Sequence, residues 1–113
     1  MNTHVSYMYR DGANYKLHAE AILKGSLTQE EIDEIFKKTQ DKVFTDSHFF
    51  YPGNIGLHAP TFVSEGYAEY DDDPDWHELL EVYPTDKEAT CEVTAAAFLE
   101  AARNGTLLVN NNF

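Results

Sequence analysis

"THVSYMYRDGANYKLHAEAILK" (residues 3–24) decides how this chain is built. Its first eight residues alternate and are rich in Val and Tyr, the pattern of a half-buried strand over 3–10. "DGAN" (11–14) follows, and Gly12 and Asn14 both tolerate positive φ, so a turn is expected there. In "YKLHAEAILK" (15–24), Tyr15, Leu17, Ala19, Ala21 and Leu23 fall on one face. Lys16, His18, Glu20 and Lys24 fall on the other, with Ile22 the exception. A period of 2 on both sides of a turn predicts a β-hairpin.

Beyond the hairpin the period changes. In "GSLTQEEIDEIFKKTQDK" (25–42), Thr28 followed three residues later by Glu31 is a capping box. Ile32, Ile35, Phe36 and Thr39 then recur at helical spacing. Acids crowd the start and Lys37, Lys38 and Lys42 the end, as the helix dipole favours. The pattern predicts a helix over 28–41. "HFFYP" (48–52) reads as a short strand and "PGNIGLHAP" (52–60) as loop. "TFVSEGYAEY" (61–70) is either another short strand or packed aromatics. "HELLEVYP" (77–84) reads as a strand ended by Pro84. "TCEVTAAAFLEAARNG" (90–105) predicts a second helix at about 91–103. Thr90 would be its N-cap, Val93, Ala97 and Phe98 its buried side, and Gly105 its stop. "TLLVNNNF" (106–113) is a frayed tail or a short added strand. The expected fold is α+β: a small, mainly antiparallel sheet with two helices packed on one face. At 113 residues the chain is expected to form one domain, 1–113.

The charge is uneven. Residues 1–42 hold seven acids and six bases, whereas residues 43–113 hold thirteen acids and two bases. No Lys or Arg occurs between Lys42 and Lys87, a span with ten acids. Such a surface repels nucleic-acid phosphates and anionic membranes. It attracts basic proteins or cations over a Debye length of about 10 Å. Acidity also simply aids solubility. The start shows no charged region leading into an apolar run, and no stretch is apolar enough to span a bilayer. The single Cys91 suits a reducing compartment, so a cytoplasmic location is expected.

Three pieces, "YMYRDGANYK" (7–16), "LTQEEIDEI" (27–35) and "DWHELLEV" (75–82), resemble a family of small bacterial proteins. That family shares an opening of the type Y-x-Y-R-D-x-x-N-Y-K, an acidic capped helix, W-H-E leading a strand, and a short terminal helix. The pieces cover under a third of the chain. The resemblance carries over no activity and no catalytic residue, and this chain departs from it in "DDDPD" and after Gly105.

The densest chemistry lies in "EYDDDPDWHE" (69–78), where six of ten residues are carboxylates. Asp71, Asp73 and Asp75 match the first positions of a calcium loop. The glycine and glutamate such a loop requires are replaced by Trp76 and Val82, so an EF-hand is excluded. The five His are scattered without metal-ligand spacing, and the sequence implies no metal and no cofactor. Glycine-rich phosphate loops and nucleophile elbows are absent. Cys91, read as lying just inside a helix N-terminus, is either an activated thiol or a small buried hydrophobe. Arg10 and Asp11, flanked by Tyr, suit a binding loop as well as a capped turn. Trp76 is a core or rim aromatic, or, if exposed, an interface anchor within a charged rim.

The sequence therefore favours a small acidic, non-enzymatic protein that binds a basic partner protein. The expected contact residues are Glu69, Asp71, Asp72, Asp73, Asp75, Trp76 and Glu78, with Arg10 and Asp11. Its sharpest form is an inhibitor that mimics nucleic-acid charge; direct nucleic-acid and membrane binding are not expected. The alternatives are a metal- or thiol-dependent enzyme using the Asp/His-rich segment or Cys91, and a housekeeping domain whose acidity serves solubility. Mimicry would place the acids at 65–81 on one face; the last alternative would scatter them.

Overall fold

A computed structural model describes residues 1–10, 15–60 and 76–109. In chain order it contains β1 (Asn2–Arg10), β2 (Lys16–Leu23), α1 (Gln29–Thr39), β3 (Phe49–Phe50), β4 (His77–Thr85) and α2 (Ala95–Arg103). The strands form one sheet in the order β2-β1-β4-β3, every neighbouring pair antiparallel. The hairpin register runs from Thr3 opposite Leu23 to Arg10 opposite Lys16. The expected turn at 11–14, with Asp11, lies outside the described residues, as do the expected strand at 61–70 and Glu69, Asp71, Asp72, Asp73 and Asp75.

Both helices cover one face of the sheet. Val5 and Tyr7 of β1 meet Ala21 and Leu23 of β2, Phe50 of β3, and Leu79 and Val82 of β4. Ile32 and Ile35 of α1 and Ala95, Phe98, Leu99 and Ala102 of α2 close over them. Each large apolar side chain so buried contributes about 1.5–3 kcal/mol before entropy is counted. Tyr7 meets Phe50 edge-on at 5.4 Å between ring centroids, and Phe50 meets Phe98 at 6.1 Å. Strict alternation fails in β4 for an identifiable reason. The register with β1 shifts so that Ser6 faces Glu81 while Tyr7 faces Leu79. Leu80 is the extra residue of a bulge, which lets Leu79 and Val82 both reach the core.

The first helix follows its sequence signals closely. Thr28 Oγ1 accepts from the Glu31 amide at 3.1 Å, and Glu31 Oε1 accepts from the Thr28 amide at 2.9 Å. It ends two residues earlier than expected, because Gln40 bridges to His48 and continues toward β3. Arg103 of α2 donates from Nε and Nη2 to both carboxylate oxygens of Glu34 of α1, clamping the helices together.

Five expectations need correction. Pro84 does not end β4, which runs to Thr85; β3 pairs only with His77 and Glu78, so at Pro84 only β1 lies alongside and a missing donor is tolerated. Tyr15 does not face inward but is exposed, because β2 buries only toward Ala21, Ile22 and Leu23, where a later segment docks. Residues 52–60 are not all loop, since Pro52–Ile55 is a 3-10 turn begun by proline. The second helix starts at Ala95 with Thr94 as N-cap, and Ala97 is exposed. Thr90 is instead tied to β2: its Oγ1 accepts from the Ile22 amide at 2.9 Å and its amide donates to the Ile22 carbonyl at 2.9 Å. Finally, Thr106–Leu108 is neither tail nor strand but a 3-10 turn with Leu107 fully buried. Gly105, at φ +81°, supplies the left-handed residue that stops α2.

Candidate functional site

At the β3 flank of the sheet, Val43, Phe44, Phe49, Tyr51, Trp76 and Leu108 line a groove of about 430 Å³ with Asp41 at its edge. Four separate parts of the chain supply these residues, and hydrogen bonds hold the parts around Val43–Phe44, Tyr51 and Leu108. Asp41 Oδ2 accepts from the amides of Val43 at 2.9 Å and Phe44 at 2.6 Å, folding the chain into a tight side-chain-capped turn. Ser47 donates to the Phe44 carbonyl at 2.8 Å, Asp41 to the Ser47 carbonyl at 2.9 Å, and the Gln40 side chain to the Thr45 carbonyl at 2.9 Å. Val43 and Phe44 are thus carried on a hydrogen-bonded loop, yet Phe44 is 68% exposed. Tyr51 donates its amide to the Leu107 carbonyl at 2.8 Å. With Leu107 locked in the core, Leu108 is left outward at the rim.

Trp76 stands just ahead of β4 and is 43% exposed. Its ring lies 5.8 Å from Phe49 at 58°. The structure thus places it at the rim of the core, partly exposed and packed on Phe49. A single exposed apolar side chain is ordinary, but a contiguous cluster on a rigid frame is the usual mark of an interaction surface.

Glu78 lies opposite Met8 and Glu81 opposite Ser6, so both register on the sheet face away from the helices. Arg10 and Glu78 come together, Nε to Oε1 at 3.2 Å, and each offsets the other's charge. Of the ten acids in the cation-free span 43–86, Asp46, Glu78, Glu81 and Asp86 lie among the described residues.

A second cluster is buried. His77 is 1% exposed, and its Nε2–H donates to the Pro60 carbonyl at 2.8 Å. Burial holds its imidazole below the usual histidine range, against the pull of that carbonyl, and His58 nearby adds to the lowering. Tyr7 donates its hydroxyl to the His58 carbonyl, and burial, with Cys91 second, pushes its pKa up to about 12. The phenol therefore stays protonated and the imidazole neutral at pH 7, as buried hydrogen-bonded groups should. Both side chains are closed between the sheet and its covering layer.

Cys91 is not at a helix N-terminus. It lies in the bent segment that docks beside the end of β2, half-buried, with Sγ 3.7 Å from the Ile22 carbonyl. The dipole argument for an activated thiol therefore does not apply. Among the described residues no group of three or more His, Cys, Asp or Glu converges, and no helix is long and apolar enough to cross a membrane.

Sequence reasoning marked Trp76 but passed over Val43, Phe44, Phe49, Tyr51 and Leu108. The only local signal was the apolar pair Val43-Phe44 set in a polar loop between Lys42 and Asp46. No family model matches the chain, and neither does any curated protein or solved structure.

Proposed function

We propose that this chain is a small acidic, non-enzymatic protein that binds a basic partner protein. The observation that carries the reading is the setting of Trp76. It stands exposed at the lip of an apolar groove, inside the one long stretch of the sequence that has no Lys or Arg. An apolar anchor on a strongly acidic chain is the anatomy of an interface for a basic surface. Charge of this kind acts mainly on encounter rate and selectivity, and the apolar contacts act on lifetime. A narrower version, in which Asp71, Asp72, Asp73 and Asp75 stand in for phosphates in a basic groove, would make the chain an inhibitor of a nucleic-acid-binding protein.

Affinity capture from the native host over a series of salt concentrations tests the reading. The retained proteins should be basic, should elute as salt rises because exposed charges are screened, and should be lost when Asp71, Asp72, Asp73 and Asp75 are changed to Asn. Retention of neutral or acidic proteins, indifferent to salt and to those substitutions, would overturn it.

A further inference from the structure

We propose that the Trp76 groove takes one large apolar side chain, of leucine or phenylalanine size, from a partner segment in which Lys or Arg flank that residue. This deepens the basic-partner reading and rests on it. Three observations select this occupant. The groove, at about 430 Å³, lies at the small end of ligand-sized pockets, which suits a side-chain anchor rather than a folded surface. Its walls are aromatic and aliphatic, and Asp41 Oδ2 is already engaged by two backbone amides. A polar metabolite would need several convergent polar groups to orient it. The frame is hydrogen-bonded before anything binds, so little ordering cost opposes an anchor that enters it.

Charge complementarity fixes the flanking residues. The chain carries a net charge of −12, and the span from 43 to 86 contributes ten acids and no Lys or Arg. Asp75 directly precedes Trp76 in sequence. A Lys or Arg beside the anchor is attracted by the chain's net charge of −12 and can also lie over the Trp76 ring, where a cation is attracted to the aromatic face. A second copy of the chain would bring the same negative charge and be repelled. Lys42, next to Val43, is the nearest cation in sequence to the groove, and it should oppose such a segment.

Three synthetic peptides test this: a basic one with a central Phe, the same with Ser for Phe, and the Phe peptide with Gln for each Lys and Arg. Trp76 is the only tryptophan, so its emission reports on the groove directly. The basic Phe peptide should shift that emission, and Phe44→Ala should weaken its binding about tenfold, the loss expected of an interface anchor contact. Lys42→Glu should tighten it. The Ser peptide should bind more weakly, without an emission change and without sensitivity to Phe44→Ala. Circular dichroism of Phe44→Ala checks that the fold is kept. Equal binding of both basic peptides, unaffected by Phe44→Ala, would overturn the groove while leaving the basic-partner reading standing. If neither basic peptide bound at low salt, both would fall. A neutral Phe peptide binding as tightly as the basic one would overturn the charge assignment. A dimer in sedimentation that Phe44→Ala dissolves would assign the groove to self-association instead.

Discussion

The two flanks of the sheet end in opposite ways. Beyond β2, residues 90–95 dock like an extra strand: Thr90 exchanges two bonds with Ile22, Lys24 donates to the Val93 carbonyl at 3.0 Å, and Ala95 donates to the Lys24 carbonyl at 2.8 Å. The backbone there is satisfied, and Thr94 then starts α2. Beyond β3, the sheet gives way to the groove, with Phe44 and Trp76 in contact with solvent. Both flanks carry backbone bonds, at Ile22 and Lys24 on one side and from Asp41 to Ser47 and Tyr51 to Leu107 on the other, but only the β3 side also leaves a cluster of apolar rings exposed.

That contrast is broken most directly at Phe50, the residue by which the β3 flank reaches the core. Phe50 is fully buried between Tyr7 and Phe98. Phe50→Ala should cost about 3–5 kcal/mol by chemical denaturation. A loss under about 1 kcal/mol would mean that β3 carries no structural load and that the flank is all surface. Next comes the β2 flank. Thr90→Val removes the acceptor of the Ile22 amide while keeping shape, and should cost about 1–3 kcal/mol. Unchanged stability would show that the docking is decorative.

A third effect separates the interior of the β3 flank from its surface. Because folding lowers the pKa of His77, the unfolded chain binds the extra proton as pH drops below about 6.5. Stability should therefore fall on acidification from about pH 7 toward pH 5, and His77→Phe should flatten that fall. The groups that face this imidazole are Tyr7, Tyr9, His58 and the Pro60 carbonyl. Parallel slopes in wild type and variant would assign the pH dependence to other histidines. The smallest change is expected at Phe44: Phe44→Ala should move the thermal midpoint by an amount equivalent to under about 0.5 kcal/mol. A large loss there would place Phe44 in the folding core and undo the contrast between the flanks.

What was legible in the sequence was what neighbouring residues settle among themselves. The hairpin follows from alternation and a turn signal within twenty-two residues, and α1 from a capping box that both partners complete locally. The charge asymmetry is a property of composition and needs no fold. The second helix shows where that reasoning stops. Thr90 and Thr94 are equally good caps in isolation, and only the docking of Thr90 on Ile22, sixty-eight positions away, hands the cap to Thr94 and takes Cys91 out of the helix. The bulge that exposes Leu80 is likewise set by pairing with β1, not by the strand's own pattern. The groove lies furthest from local control, since Phe44, Phe49, Trp76 and Leu108 meet only after the sheet order and the position of the 106–108 turn are fixed. By itself, then, the sequence determined the elements and the acidity, because caps, periodicity and net charge act over a few residues or over none. The tertiary structure alone decided the docked flank and the grooved one, because both depend on contacts whose loop-closure cost is met only when the whole core forms.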